Sequence, residues 1–330
     1  MSTPSSTMSE SAPTAMSAGL PTTRPFIWSV RRELWENRSL YVAPLSVAGV
    51  ILFGFVISVI GLARHGKEMR AALTPDQLAS AIVLPYDIAA VAVIVVSVIV
   101  GFFYSVNALY SERRERSILF WKSLPVSNLT TVLSKAFMPI VVLPTIVFGV
   151  TVVLHVVMLL LNTAGRAVAG TSVSELWAHV PLFQMEIVLL YGVATLALWH
   201  APIYSYLIFV SGWAKKTPIL WAVLPPLALI VVEKIAFDTG YIGRLISYRL
   251  SGSFDEAFSL PTRTPLRAAV QNHAAHGAHH PVQMPAIPTV GLGQLDPLHF
   301  LSSPGLWLGL LVAAAFLAGA VWLRRTREAI

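Results

Sequence analysis

Residues 88–110 read IAAVAVIVVSVIVGFFYSVNALY, a run of 23 residues without one charged side chain. A helix rising about 1.5 Å per residue needs about 20 residues to cross roughly 30 Å of hydrocarbon, so this run is long enough to span a bilayer. Its apolar residues are continuous rather than alternating, which excludes a barrel strand and predicts a transmembrane helix. Similar runs occupy residues 39–63, 136–161, 182–210, 218–236 and 306–323. The fifth is the shortest and carries Pro225 and Pro226. The fold expected is therefore all-α: a polytopic membrane protein of about six transmembrane helices with interfacial amphipathic helices.

The bulk composition agrees. Hydrophobic residues make up 55% of the 330 and charged residues 12%, too few for a soluble surface. The excess of 23 Lys and Arg over 16 Asp and Glu gives +7, which in this setting reads as basic loops held at an anionic leaflet, not as a nucleic-acid footprint. With no cysteine, thiol chemistry and disulfides are excluded. Residues 1–24 read as a disordered cytoplasmic tail. Through Thr23 the only charged side chain is Glu10, leaving neither the basic nor the apolar region of a signal peptide.

Basic residues set the expected orientation. Arg24, Arg31, Arg32, Arg38, Arg113, Arg114, Arg116, Lys122, Lys135, Lys215, Lys216, Arg324, Arg325 and Arg327 fall on one face, against Arg64, Lys67, Arg70 and Arg166 in the two short loops of the other. Both termini are expected in the cytoplasm. Residues 237–304 then form a large periplasmic or extracellular loop, followed by the sixth helix and a basic cytoplasmic end over 305–330. The first part of that loop, residues 241–250, mixes apolar and basic residues as a short helix lying on the outer leaflet would. Farther along, His273, His276, His279 and His280 are candidate metal ligands, since imidazole suits copper, zinc and nickel. The Ala and Gly between them cannot fix a coordination geometry, so a solvated, pH-sensitive loop is the expectation.

Two segments beside the spans carry more information. Residues 25–38 are expected to form an interfacial connecting helix: Ile27, Val30 and Leu34 recur at helical spacing with Trp28 and Trp35 beside them, and Arg31 and Arg32 are polar. Residues 111–127 read SERRERSILFWKSLPVS: charges in the first turns, an apolar patch at Ile118–Trp121, Pro125 to end the helix and Ser127 to cap the next. A short helix over 112–124 that leaves the membrane with an apolar patch needs a surface to bury it against.

This connection, with Lys135 after it, resembles the cytoplasmic segment between spans two and three of type-2 ABC exporter permeases, and residues 26–40 resemble that family's N-terminal connecting helix. Arg116 stands where many relatives have Gly. The resemblance implies a non-catalytic permease subunit that forms the translocation path with a second permease subunit, in a bacterial cytoplasmic membrane. It also implies a separate P-loop ATPase that holds ATP and Mg, and a coupling helix docked on it through Glu112, Arg113, Arg114, Arg116, Trp121 and Lys122. Trp28, Arg31, Arg32 and Trp35 would hold the interfacial helix at membrane lipids.

Consistent with a partner ATPase, the chain has no G-x-x-x-x-G-K-S/T phosphate cradle, and it lacks H-E-x-x-H and G-x-S-x-G. No cofactor is expected on the chain itself. Glu186 and Glu233 lie within apolar runs, where a carboxylate is costly unless paired or wetted. They are candidates for the translocation path, with pairing at the interface as the alternative. His155 and His200 would suit a haem-binding bundle only as an isolated pair. Gly305, Gly309 and Ala313 form a small-residue stripe expected to pack within the protomer. The rival readings are a secondary transporter driven by an ion gradient, which favours acidic residues near the bilayer midplane, and a membrane enzyme or redox subunit using the histidines.

Overall fold

The structure is a computed structural model, described over residues 23–71, 75–114, 127–259 and 291–326. Among the described residues no strand forms, and six helical stretches are long and apolar enough to cross a membrane: Ser39–Gly61, Ala81–Arg114, Asn128–Ala169, Val173–Trp213, Pro218–Phe237 and Pro304–Thr326. They contain the six apolar runs of the sequence apart from the last two residues of the first, and their ends run farther wherever a polar turn continues the helix.

A first helix, α1 (Thr23–Glu36), ends at Asn37, whose side-chain amide donates to Glu33 O at 3.0 Å, and α2 (Ser39–Ala71) starts two residues later. The second span is α3 (Pro75–Asn107), followed after a turn by α4 (Tyr110–Arg114). Span three begins as α5 (Asn128–Phe137), with Ser127 Oγ accepting from Thr130 N at 3.0 Å as the sequence cap predicts. Pro139 and Pro144 each remove a backbone donor, and the helix widens to a π turn over Met138–Val142 before continuing as α6 (Leu143–Ala169).

Gly170 ends α6 at φ +63°, with Thr171 N donating to Arg166 O at 3.0 Å, the left-handed cap that glycine adopts without a Cβ penalty. Ser172 then caps the short α7 (Val173–His179), and span four is α8 (Leu182–Trp213). Span five is α9 (Pro218–Phe237), with α10 (Tyr241–Ala257), α11 (Pro297–Ser302) and span six, α12 (Pro304–Thr326), after it.

The fourth span is the hub: α8 packs against α3, α6, α9, α10 and α12, while α2 lies on α3 and α6. By contrast α9 is peripheral, burying only Pro218, Ala222 and Glu233. Outward-facing Val50, Phe53 and Leu311 are as apolar as the interior, as lipid permits. The small-residue stripe packs inside the protomer: a Cβ on Gly305 would meet Tyr248 and Trp199, and one on Gly309 would meet the Arg249 guanidinium.

The helix expected over residues 241–250 is present as α10, longer than that stretch and folded against α8 and α11. Fully buried Trp199 donates to Tyr248 O at 3.3 Å, with the Arg249 guanidinium 4.7 Å above its ring. The His-rich part of the 237–304 loop, with His273, His276, His279 and His280, lies outside the described residues.

Candidate functional site

At one end of the bundle five charged side chains from four segments meet. Glu33 on α1 is 1% exposed and accepts from Lys135 Nζ at 2.8 Å, Arg32 at 2.9 Å and Tyr104 Oη at 2.9 Å. Glu112, on α4, is bound by Lys135 at 3.1 Å, by Arg32 at 3.2 Å and by Arg324 from the end of span six. Lys135, 3% exposed near the start of span three, therefore bridges two carboxylates. Isolated buried charges would be prohibitively costly; two carboxylates among three cations, each with several partners, satisfy that requirement.

Next to this cluster Arg113 Nη2 donates to Ser211 O at 2.7 Å and Ala214 O at 2.6 Å, where α8 ends. Cations at the C-terminus of a helix satisfy its orphan carbonyls and its negative dipole end. Ser211 Oγ accepts from Leu109 N at 3.1 Å, a second tie between spans two and four. The segment that joins spans two and three thus leaves from a base locked to α1 and to spans three, four and six. Since Arg32 and Arg324 both reach Glu112, the first helix and the end of the sixth span lie at the same end of the molecule.

Against this geometry the expected docking residues divide. Glu112 and Arg113 are 6% and 4% exposed and bind groups inside the chain, Arg113 at the end of α8 and Glu112 in the ionic cluster. Arg114 is exposed, while Arg116, Trp121 and Lys122 lie outside the described residues. On α1, Trp28 and Trp35 are 62% and 63% exposed, and Arg31 lies over both rings at 5.5 and 4.6 Å, an arrangement suited to the headgroup layer. Arg32 turns the other way and joins the ionic cluster. Glu36, paired to Arg32 at 3.4 Å, is pushed above the usual carboxylate range by partial burial, with Arg32 opposing.

Both carboxylates proposed for a path have structural partners. Glu233 accepts from Tyr241 N, Ile242 N and Thr239 Oγ1 at 2.6, 2.8 and 2.7 Å and so caps the start of α10. It does not pair with Lys234, which binds Asp238 at 2.6 Å. Glu186 lies 2.8 Å from His155 Nδ1, while His200 Nδ1 bonds Leu196 O at 2.9 Å. Among the described residues no group of three His, Asp or Glu is placed to hold a metal ion.

Glu33, Tyr104 and Arg324 were not expected at a site. Glu33 gave a faint signal, as an acid beside Val30 and Leu34 on the apolar stripe of α1. Arg324 gave none, being one of three arginines at the end of the last span.

The fold and this site define a multi-pass, six-span helical architecture of membrane-protein type. No family model, no curated protein and no solved structure matches the chain.

Proposed function

We propose that this chain is the permease subunit of a type-2 ATP-binding-cassette exporter, seated in a bacterial cytoplasmic membrane with both ends in the cytoplasm. Two permease subunits form the translocation path, and a P-loop ATPase on separate chains supplies the energy with ATP and Mg. The chain hydrolyses nothing itself.

One observation carries this reading. The connection between spans two and three, the segment whose sequence resembles a coupling helix, is bracketed by Glu112 and Lys135, which contact each other at 3.1 Å. Force applied to residues 115–126 would reach α1 and spans three and six through the ionic cluster, and span four through Arg113. A packed, ion-paired base shifts as a body, which suits rocking of one half of a bundle against the other. Glu112 and Arg113 thus become positioning residues, and contact with the ATPase falls to exposed Arg114 and to Arg116, Trp121 and Lys122. The basic residues collected at this end support a cytoplasmic face.

Purification of the full chain from its native membrane in mild detergent tests the proposal. A P-loop ATPase that co-purifies, and whose hydrolysis is uncoupled from transport by Arg114→Glu, is the expected result. Repeated recovery of the folded chain without a nucleotide-hydrolysing companion contradicts it.

A further inference from the structure

Where spans two, three and four meet, they leave a recess of about 330 Å³, counting its open side. Span two contributes Ser97 to its walls, span three Pro139, Leu143 and Pro144, and span four Ala197 and Tyr204. The space follows from these residues. Pro139 lies in the π turn over Met138–Val142 and Pro144 just beyond it, and a π turn widens the helix and carries its side chains out of regular register. Opposite it, Ser97 and Ala197 are too small to fill the gap.

Most of the lining is buried, but Ile94, Val98, Pro144 and Leu196 are partly exposed, so the recess opens to the outside of the bundle. Val98 stands midway along the Ala81–Arg114 stretch, and among the described residues no charged side chain lines the walls. Val95, Ile99 and Val141, which face outward beside it, are apolar. What enters at this depth comes from hydrocarbon and not from water.

Two hydroxyls stand in the walls, and they differ. Ser97 Oγ donates to Val93 O at 2.7 Å, within its own helix. Tyr204 is 5% exposed, and among the described residues its Oη has no hydrogen-bond partner. A Cβ on Gly101 would lie 3.2 Å from that oxygen and 3.2 Å from Leu143 Cδ2, so the hydroxyl stands against span two beside the wall that Leu143 makes. On the same span Tyr191 and Tyr206 donate to Ala257 O and Ala222 O at 2.9 and 3.1 Å, as phenols removed from water ordinarily do. Water suits the recess poorly: a buried water makes about three hydrogen bonds, and these apolar walls offer one free hydroxyl and one already committed.

We propose that the recess binds a neutral lipophile of the membrane, hydrocarbon over most of its length with one hydrogen-bond acceptor such as a ketone or ester carbonyl, and that Tyr204 Oη donates to that acceptor. The apolar walls hold the chain by dispersion contacts, which any lipid tail makes equally well. Selection therefore falls to the Tyr204 hydrogen bond, made in a medium where water does not compete. The occupant lies against the π turn, four residues beyond Lys135 at its near edge. The inference needs only that the spans lie in hydrocarbon and does not rest on the permease reading.

Photolabelling of the full chain in phosphatidylcholine vesicles tests it with two probes: a long-chain alkyl ketone carrying a diazirine, and the matched alkyl diazirine without the carbonyl. The ketone is expected to label residues 94–98, 139–147 and 193–204 more strongly than the alkane, and excess unlabelled ketone should suppress that labelling. Tyr204→Phe keeps the ring and removes the donor; it should lower ketone labelling by about 2- to 10-fold, the effect of one neutral hydrogen bond, and leave alkane labelling unchanged. Ala197→Phe fills the space and should abolish labelling there, while labelling at lipid-facing Phe53 and Leu311 persists as the sign of an intact fold. Equal labelling by ketone and alkane in the unsubstituted chain, no suppressible labelling of these residues, or undiminished ketone labelling in Y204F overturns the proposal.

Discussion

Lys135 and Glu33, 102 positions apart in sequence, meet at 2.8 Å with both side chains almost wholly removed from solvent. Their contact fastens the N-terminal helix to the start of the third span, and through Glu112 to the second and sixth. A lysine placed this way is a structural cation of the bundle and not a loop charge.

Lys135→Met should destabilise the chain by about 3 kcal/mol, because two carboxylates lose a shared cation in a desolvated site while Arg32 and Arg324 still bind them. Removing the acid as well, in Glu33→Gln with Lys135→Met, should recover part of the loss. A double-mutant cycle on thermal unfolding in detergent measures the coupling, and additive losses would show that the two side chains act separately.

Arg113→Ala removes two charged hydrogen bonds from the end of the fourth span, at an expected cost of about 2 to 4 kcal/mol. Arg113→Lys keeps the charge without the planar fork and should recover roughly half. Amide exchange over residues 208–214 is the local readout: it should accelerate strongly in the alanine variant and weakly in the lysine variant.

The first turn of the sixth span offers a steric test. A Cβ at Gly305 would lie 2.6 Å from Tyr248 Oη and 3.1 Å from the Trp199 ring, so Gly305→Ala should cost about 1 to 3 kcal/mol. Gly149 has nothing within 4 Å of its would-be Cβ, and Gly149→Ala should be neutral or stabilising by up to about 1 kcal/mol. Melting temperatures of the two variants, expected to move in opposite directions or at least to differ clearly, check the packing of α10 on α12.

Beside that packing, His299 Nδ1 bonds Glu256 O at 3.1 Å, and this bond, with the Glu256 and Asp296 carboxylates, raises the imidazole above its ordinary value. The stability contributed by the charged imidazole is therefore fully present below the unfolded value of about 6.5 and is lost as pH rises through the raised folded value. Tyr248, pushed up to about 12 by burial and by Glu256, remains a donor throughout that range. Hydrogen exchange of residues 296–302, corrected for intrinsic rates, should lose protection with rising pH in the unsubstituted chain and stay flat in His299→Gln.

The spans were legible because lipid selects composition directly: a charge-free run such as 88–110 has few alternatives in any solvent. Ser127 as a cap and the helix from Tyr241 were legible for the same local reason. The ionic cluster was not. Glu112 and Arg113 read as docking charges at the start of a coupling helix, and Lys135 and Arg324 as charges that set topology, because local sequence cannot show that residues 212 positions apart pair. Glu233 read as a carboxylate in lipid; its role as the cap of α10 depends on a tight turn that brings the next helix back onto the fifth span. His155 and Glu186, 31 apart, sit in different apolar runs, and neither run marks the other.

On the proposed function, the connection after the second span is pressed from the cytoplasm by a separate ATPase. The most direct test places a photo-crosslinking side chain at position 121 of the full chain in its native membrane, with position 307 at the remote end as control. Adducts from position 121 with a nucleotide-binding protein, absent from position 307, are the predicted result. Adducts from position 121 with no nucleotide-binding protein, or the same partner from both positions, would contradict it.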